Sequence, residues 1–215
     1  MKNLLLVILT CLCLSGAYAQ KIVEKHFDFA QKNFVALNIQ IADSIRIITW
    51  NKNEVYVKAS ININDNKDND DYAVSFDDSG ARIEMKAKFV EKPQRVKNDS
   101  CHCYCNNTSK IYCDVYLPEN AAFSVETIDG NITISGKTDE MKVHTISGFI
   151  DLTMAPDRKA DVKLNTISGT IYSNLALNGA EHKAASSTIS QAYNGGGKPL
   201  NLETISGDIF IRKAE

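Results

Sequence analysis

Thr127-Ile128-Asp129-Gly130, Thr145-Ile146-Ser147-Gly148, Thr166-Ile167-Ser168-Gly169 and Thr204-Ile205-Ser206-Gly207 are four near copies of one tetrapeptide, and Thr188-Ile189-Ser190-Gln191 is a decayed fifth. In chain order the five begin 18, 21, 22 and 16 residues apart, the size of a repeating supersecondary unit. Counted from each isoleucine, apolar residues recur at −3 (Val125, Val143, Leu164, Leu202), at +4 (Ile132, Ile150, Ile171, Ile209) and often at +6 (Ile134, Leu152, Ile211). Positions zero, +4 and +6 share a parity, so one face of an extended strand carries them. The reading therefore places Ile128, Ile146, Ile167, Ile189 and Ile205 inside, as the repeat core. The −3 position has the opposite parity, which calls for a bend or bulge near the threonine. Each unit reads as strand, corner, strand, with the glycine permitting a close backbone turn that a side chain would obstruct.

A unit of this size cannot bury its apolar face alone, and stacking successive copies buries a continuous stripe. The expectation is an all-β protein, a β-solenoid over residues 118–215. On the same parity Thr127, Thr145, Thr166, Thr188 and Thr204 point outward and stack as a hydroxyl ladder. Upstream, over residues 20–117, Leu37, Ile39 and Ile41 alternate with polar residues. Ile83, Met85, Ala87 and Phe89 do so against Arg82, Glu84, Lys86 and Lys88, and Ile111, Cys113, Val115 and Leu117 form another such run. The spacing of Ile41, Ile45 and Ile47 follows the zero, +4, +6 rule, so this half reads as diverged coils of the same structure, with a small β-sandwich as the alternative.

At the start, Met1-Lys2-Asn3, an apolar run from Leu4 to Leu14 and the small-residue triplet Ala17-Tyr18-Ala19 form a secretory signal peptide over residues 1–19, with cleavage before Gln20. The run is too short to span a bilayer, and no later stretch approaches the roughly 20 residues required. The expectation is an exported chain located in the periplasm, at the cell surface or outside the cell. Lys and Arg number 24 against 26 Asp and Glu, for a net charge of −2, and the charges are scattered. Nothing in that pattern attracts a polyanion, so nucleic acid is not an expected partner.

Four cysteines follow the leader: Cys101, Cys103, Cys105 and Cys113. An even count in an exported chain favours disulfides, whereas paired cysteines of structural zinc sites are usually two residues apart. Three connectivities exist. Neighbouring triplet members lie at the edge of disulfide reach in a strand, which favours Cys103 with Cys113 and Cys101 with Cys105, closing a hairpin at Asn106-Asn107-Thr108-Ser109. The oxygen-rich run from Asn64 to Asp71 lacks the central glycine and terminal glutamate of a calcium loop and reads as a solvated turn. Gly195-Gly196-Gly197 lacks the lysine and serine of a phosphate loop and reads as a turn. His26, His102, His144 and His182 neighbour no nucleophile motif. No cofactor, metal or catalytic residue is indicated.

The run Asp114-Val115-Tyr116-Leu117-Pro118-Glu119-Asn120, leading into Val125-Glu126-Thr127-Ile128-Asp129-Gly130 and the serial copies after it, resembles the bacterial putative-adhesin families of β-strand repeats, the DUF4097 type. Ile45-Arg46-Ile47 and Trp50-Asn51-Lys52-Asn53-Glu54-Val55 match that family's opening of a strand, a tryptophan and a second strand. The resemblance covers nearly all of the chain after the leader. It implies a right-handed β-helix-like fold and an envelope location, and it supplies no catalytic residues. The cysteine cluster and the decayed copy at Thr188 depart from the family pattern.

The functional expectation is a non-enzymatic cell-envelope protein, an adhesin or assembly surface with a protein or glycan partner. The alternatives are a polysaccharide-active enzyme on a β-helix and a periplasmic stress-sensing module. The last copy runs through Ile209 and Ile211 almost to the end of the chain, which points to an uncapped C-terminal edge coil and to self-association by strand addition there.

Overall fold

The computed structural model describes residues 19–91, 108–175, 177 and 187–214. The leader and Cys101, Cys103 and Cys105 lie outside the described residues. The chain is all-β: β1 (Lys21–Asp28), β2 (Phe34–Trp50), β3 (Glu54–Ile63), β4 (Tyr72–Asp77), β5 (Arg82–Phe89), β6 (Ser109–Pro118), β7 (Ala122–Ser135), β8 (Met141–Ser147), β9 (Ile150–Met154), β10 (Ala160–Ser168), β11 (Ile171–Ser173), β12 (Ser187–Tyr193), β13 (Lys198–Ser206) and β14 (Ile209–Lys213) form one open 14-stranded sheet. A 3-10 turn at Asn69–Asp71 precedes β4.

The sheet is folded along a corner into two walls. The first wall has the order β4, β5, β2, β7, β8, β13, β10, β12 and the second β1, β3, β6, β2, β7, β9, β14, β11. β2 and β7 run through both, and the other copies break at the corner into β8 and β9, β10 and β11, β13 and β14. Pairing in the middle of each wall is parallel and in register, with Thr127 opposite Thr145, Thr145 opposite Thr204 and Thr204 opposite Thr166. In β2 the corner is a bulge, where Ile41 and Ser44 span the interval that Asp129 and Asn131 span in β7. One buried cluster fills the angle between the walls, drawing Val125, Val143, Leu202 and Leu164 from the first and Ile132, Ile150, Ile209 and Ile171 from the second.

Three sequence expectations are corrected. Ile128, Ile146, Ile205 and Ile167 are not core: they are 46%, 41%, 39% and 51% exposed, while Thr127, Thr145, Thr204 and Thr166 are buried. The −3 residue and the threonine stay in phase, and the parity changes after the isoleucine, at the serine and glycine. Ile189 alone of the five is buried, because β12 runs antiparallel to β10 and its copy is out of phase with the rest.

The copies also do not stack in chain order. β13 lies between β8 and β10, and Thr188 faces solvent opposite Asn165 on the edge strand. The C-terminal coil is therefore internal, bonded on both sides, and self-association through it has no free edge to use. The glycine run makes this crossing possible. Gly195 and Gly196 have φ of 87° and 80°, and a side chain on Gly197 would sit 2.7 Å from the Lys159 carbonyl. This lets the chain pass over the start of β10 from one flank to the other, while Asn194 Nδ2 donates to the carbonyls of Pro156 and Arg158, both at 2.9 Å.

Cys113 is a free thiol here, and the cysteines expected to pair with it or with one another, Cys101, Cys103 and Cys105, lie outside the described residues. Cys113 points into the core opposite Ile45 and Ala59, where burial pushes its thiol up to about 12. Inward parity in a strand of the second wall gives it aliphatic neighbours.

Candidate functional site: the outer row of the corner

Why the threonine turns inward follows from hydrogen bonding. At the corner the backbone leaves the sheet ladder, and its carbonyls need donors in a place where water is excluded. The Thr145 hydroxyl donates to the Ser147 carbonyl at 2.7 Å and that of Thr166 to the Gly207 carbonyl at 2.9 Å. Thr127 donates to the Asp129 carbonyl at 3.2 Å and Thr204 to the Gly148 carbonyl at 3.4 Å. A β-branched side chain carrying one donor fits this position; isoleucine, with no donor, does not. With threonine committed inward, the next residue faces solvent.

The glycine two places on sets the spacing. A Cβ on Gly148 would lie 2.4 Å from the Gly130 carbonyl oxygen, one on Gly207 2.0 Å from that of Gly148, and one on Gly169 1.9 Å from that of Gly207. The corners stack with backbone against backbone, and this holds the four isoleucines in line on neighbouring strands. Thr145→Val, which removes the donor and keeps the shape, is expected to cost about 1–3 kcal/mol in urea denaturation. Ile146→Ser is expected to stay within about 0.5 kcal/mol of the parent. The reverse ranking would return the isoleucine to the core.

Following the register across the first wall gives two outward rows. One runs Lys86, Asn38, Glu126, His144, Glu203, Asn165. The next, two residues further along each strand, runs Lys88, Gln40, Ile128, Ile146, Ile205, Ile167. Between them a groove of about 430 Å³ is lined by Asn38, Gln40, Lys86, Lys88, Glu126, Ile128, His144 and Ile146, among others. Side chains in and beside the first row have close partners: Lys86 lies 3.2 Å from Glu84 and Lys163 3.5 Å from Glu203, the His144 ring lies 3.9 Å from Glu203, and Asn38 Nδ2 donates to Glu84 at 2.9 Å. Gln40 Oε1 accepts from the Phe89 N–H at 3.1 Å, so its amide NH2 is turned away from that bond. Lys88 forms no ion pair among the described residues.

The outer face of the second wall carries a different array. His26, Tyr56, Tyr116 and Trp50 stack across β1, β3, β6 and β2 with centroids 4.4 to 6.5 Å apart. The Lys52 ammonium lies 4.5 Å from the Trp50 ring centre, and the indole N–H donates to the Glu54 carbonyl at 2.7 Å. Rings stacked from strand to strand use their faces on one another, which strengthens the sheet. The oxygen-rich turn is likewise satisfied within itself: Asn69 Oδ1 accepts from the Ile63 N–H and Asn64 Nδ2 donates to Asp68. Among the described residues no group of three His, Cys, Asp or Glu side chains is placed to hold a metal ion, and no helix is long and apolar enough to cross a membrane.

Sequence reasoning picked out the isoleucines and gave them the wrong face, and it passed over Lys88 and Gln40. The signal for Lys88 was present in the alternation of Arg82, Glu84, Lys86 and Lys88; Gln40 had none.

Residues 114–212 match the family model described as Toastrack DUF4097. The fold is similar to that of a "putative cell adhesion protein" from Clostridium sporogenes ATCC 15579, which is 13% identical, with 91% of this chain and 100% of that one covered at a TM-score of 0.52. Two "putative adhesin" structures, from Bacteroides fragilis NCTC 9343 and Parabacteroides merdae ATCC 43184, are each 9% identical over 91% of this chain and 98% and 97% of theirs, with TM-scores of 0.23 and 0.24. A search of curated proteins finds no match. At these identities the structural likeness speaks to fold alone. The four in-register corners all lie within the stretch from Asp114 to Arg212 that matches the Toastrack DUF4097 family model.

Proposed function

We propose that this is an exported, non-enzymatic protein of the cell surface, a right-handed β-solenoid type of scaffold whose outer corner row is its contact surface. The observation that carries the reading is the row itself: four isoleucines, each 39% to 51% exposed, on adjacent strands. Single exposed apolar residues are ordinary, but a contiguous line of them marks an interaction site. The cell-adhesion name of the Clostridium sporogenes structure agrees with a binding role, and the hydrophobic leader agrees with export.

Two measurements test it. Intact mass of protein from its native host is expected to show an N-terminus at Gln20 without an acyl group; a retained leader would refute export by this route. Immobilised protein, challenged with solubilised envelope and with glycan and matrix-protein arrays, is expected to retain a partner that the Ile146→Ser, Ile205→Ser double variant loses. Degradation of an arrayed glycan would install the polysaccharide-enzyme alternative instead.

A further inference from the structure

The outer row is polar at one end and aliphatic along the rest. Lys88 and Gln40 stand on β5 and β2, and Ile128, Ile146, Ile205 and Ile167 follow on β7, β8, β13 and β10. The five strand intervals from Lys88 to Ile167 extend over roughly 24 Å at about 4.8 Å each. We propose that this row, together with the groove of about 430 Å³ at its polar end, binds a long-chain carboxylate, the head on Lys88 and Gln40 and the chain along the isoleucines. The inference rests on the outer row being the contact surface.

Three observations favour a single-chain amphiphile. The first is area. Four partly exposed isoleucines offer roughly a few hundred Å², far below the ~800 Å² that each partner of a stable protein complex buries; the same patch suffices for one alkyl chain. The second is the head site. Lys88 supplies an ammonium without an ion pair among the described residues, and the Gln40 amide, its oxygen occupied by the Phe89 N–H at 3.1 Å, has N–H donors to offer. A carboxylate accepts from both. Glu126 and His144 line the groove on its far side, and Lys86 is engaged by Glu84, so the positive charge concentrates at Lys88. The third is shape: the groove volume falls in the range of small-molecule sites, whereas a bilayer surface meets convex, uniformly basic faces better than this mixed one.

The test titrates dodecanoate into protein purified from its exporting host, by calorimetry below the micelle concentration, with dodecyltrimethylammonium and dodecyl maltoside as head-group controls. Saturable one-to-one binding of dodecanoate is expected, at least tenfold tighter than either control. Lys88→Gln is expected to weaken it about tenfold, and Ile146→Ser with Ile205→Ser more, with circular dichroism unchanged in each. No saturable binding, equal affinity for the cationic amphiphile, or full affinity in Lys88→Gln overturns the proposal. So does sedimentation with phosphatidylglycerol vesicles without binding of monomeric dodecanoate, which assigns the row to membrane surfaces. A dimer in light scattering that the isoleucine variants abolish assigns it to a second copy. If the immobilised protein keeps a partner that the isoleucine variants lose while dodecanoate does not bind, the contact surface stands and the amphiphile falls.

Discussion

Deleting residues 198–215 is expected to leave a chain without a cooperative unfolding transition. The segment removed contains β13 and β14, and neither is peripheral: β13 is bonded to β8 and β10, and β14 to β9 and β11. Leu200, Leu202, Ile209 and Ile211 leave the core with it, all at most 1% exposed. Burial of each such side chain contributes about 1.5–3 kcal/mol, roughly 6–12 together, against a total stability of about 5–15 kcal/mol for a typical domain. The deletion also opens four strand edges in the middle of the two walls, each a template for aggregation. Urea denaturation followed by far-ultraviolet circular dichroism is the measurement. A sigmoidal transition with near-parental midpoint would mean that the last copy lies on an outer edge, as stacking in chain order would have it.

A single methyl group at Gly207 is expected to be nearly as damaging. Its φ of 152° lies at the edge of the region that side chains rarely adopt, and the added Cβ would lie 2.0 Å from the Gly148 carbonyl oxygen and 2.7 Å from its carbonyl carbon. No rotamer relieves that contact, because both sides are backbone. Moving Gly148 away would break the spacing of Gly130 beneath it and of Gly169 above Gly207. Gly207→Ala should cost about 3 kcal/mol or more, as overpacking of a rigid interior does. The control is Gly195→Ala. Gly195 has φ of 87°, and a methyl group added there would meet nothing within 4 Å, so only the left-handed backbone is penalised, at about 1–2 kcal/mol. Equal losses at the two sites would show that backbone conformation, and not the close stacking of corners, governs the column.

Much of the fold was legible in the sequence, and the limits have physical causes. Alternation identified the strands, because each wall has one face on the core: Ile83, Met85 and Ala87 are buried as their period requires. The corner was located correctly at the tetrapeptide. Its inside and outside were exchanged because hydropathy ranks isoleucine above threonine, while at a corner the scarce resource is a hydrogen-bond donor for carbonyls that have left the ladder. The order of the copies was not legible at all. Register and parity are the same for a copy in any slot, and only the path of the connection over β10 decides which slot the last one takes. The outer row needed both facts, since it exists only where the isoleucines face out and the copies lie side by side.

That path over β10 also bears on how such a wall could vary in length through evolution. A simple solenoid lengthens by gene duplication at either terminus, each new coil resting on the previous last one. Here the final copy is already enclosed, so a unit appended after β14 could not rest on the strands that precede it in sequence. Among the described residues the open edges on that flank are β12 in the first wall, which runs the other way and carries the degenerate copy, and the short β11 in the second. Lineages that extended or shortened this wall would therefore be expected to show their insertions and deletions upstream of Lys198, with the terminal repeat preserved as a closing wedge.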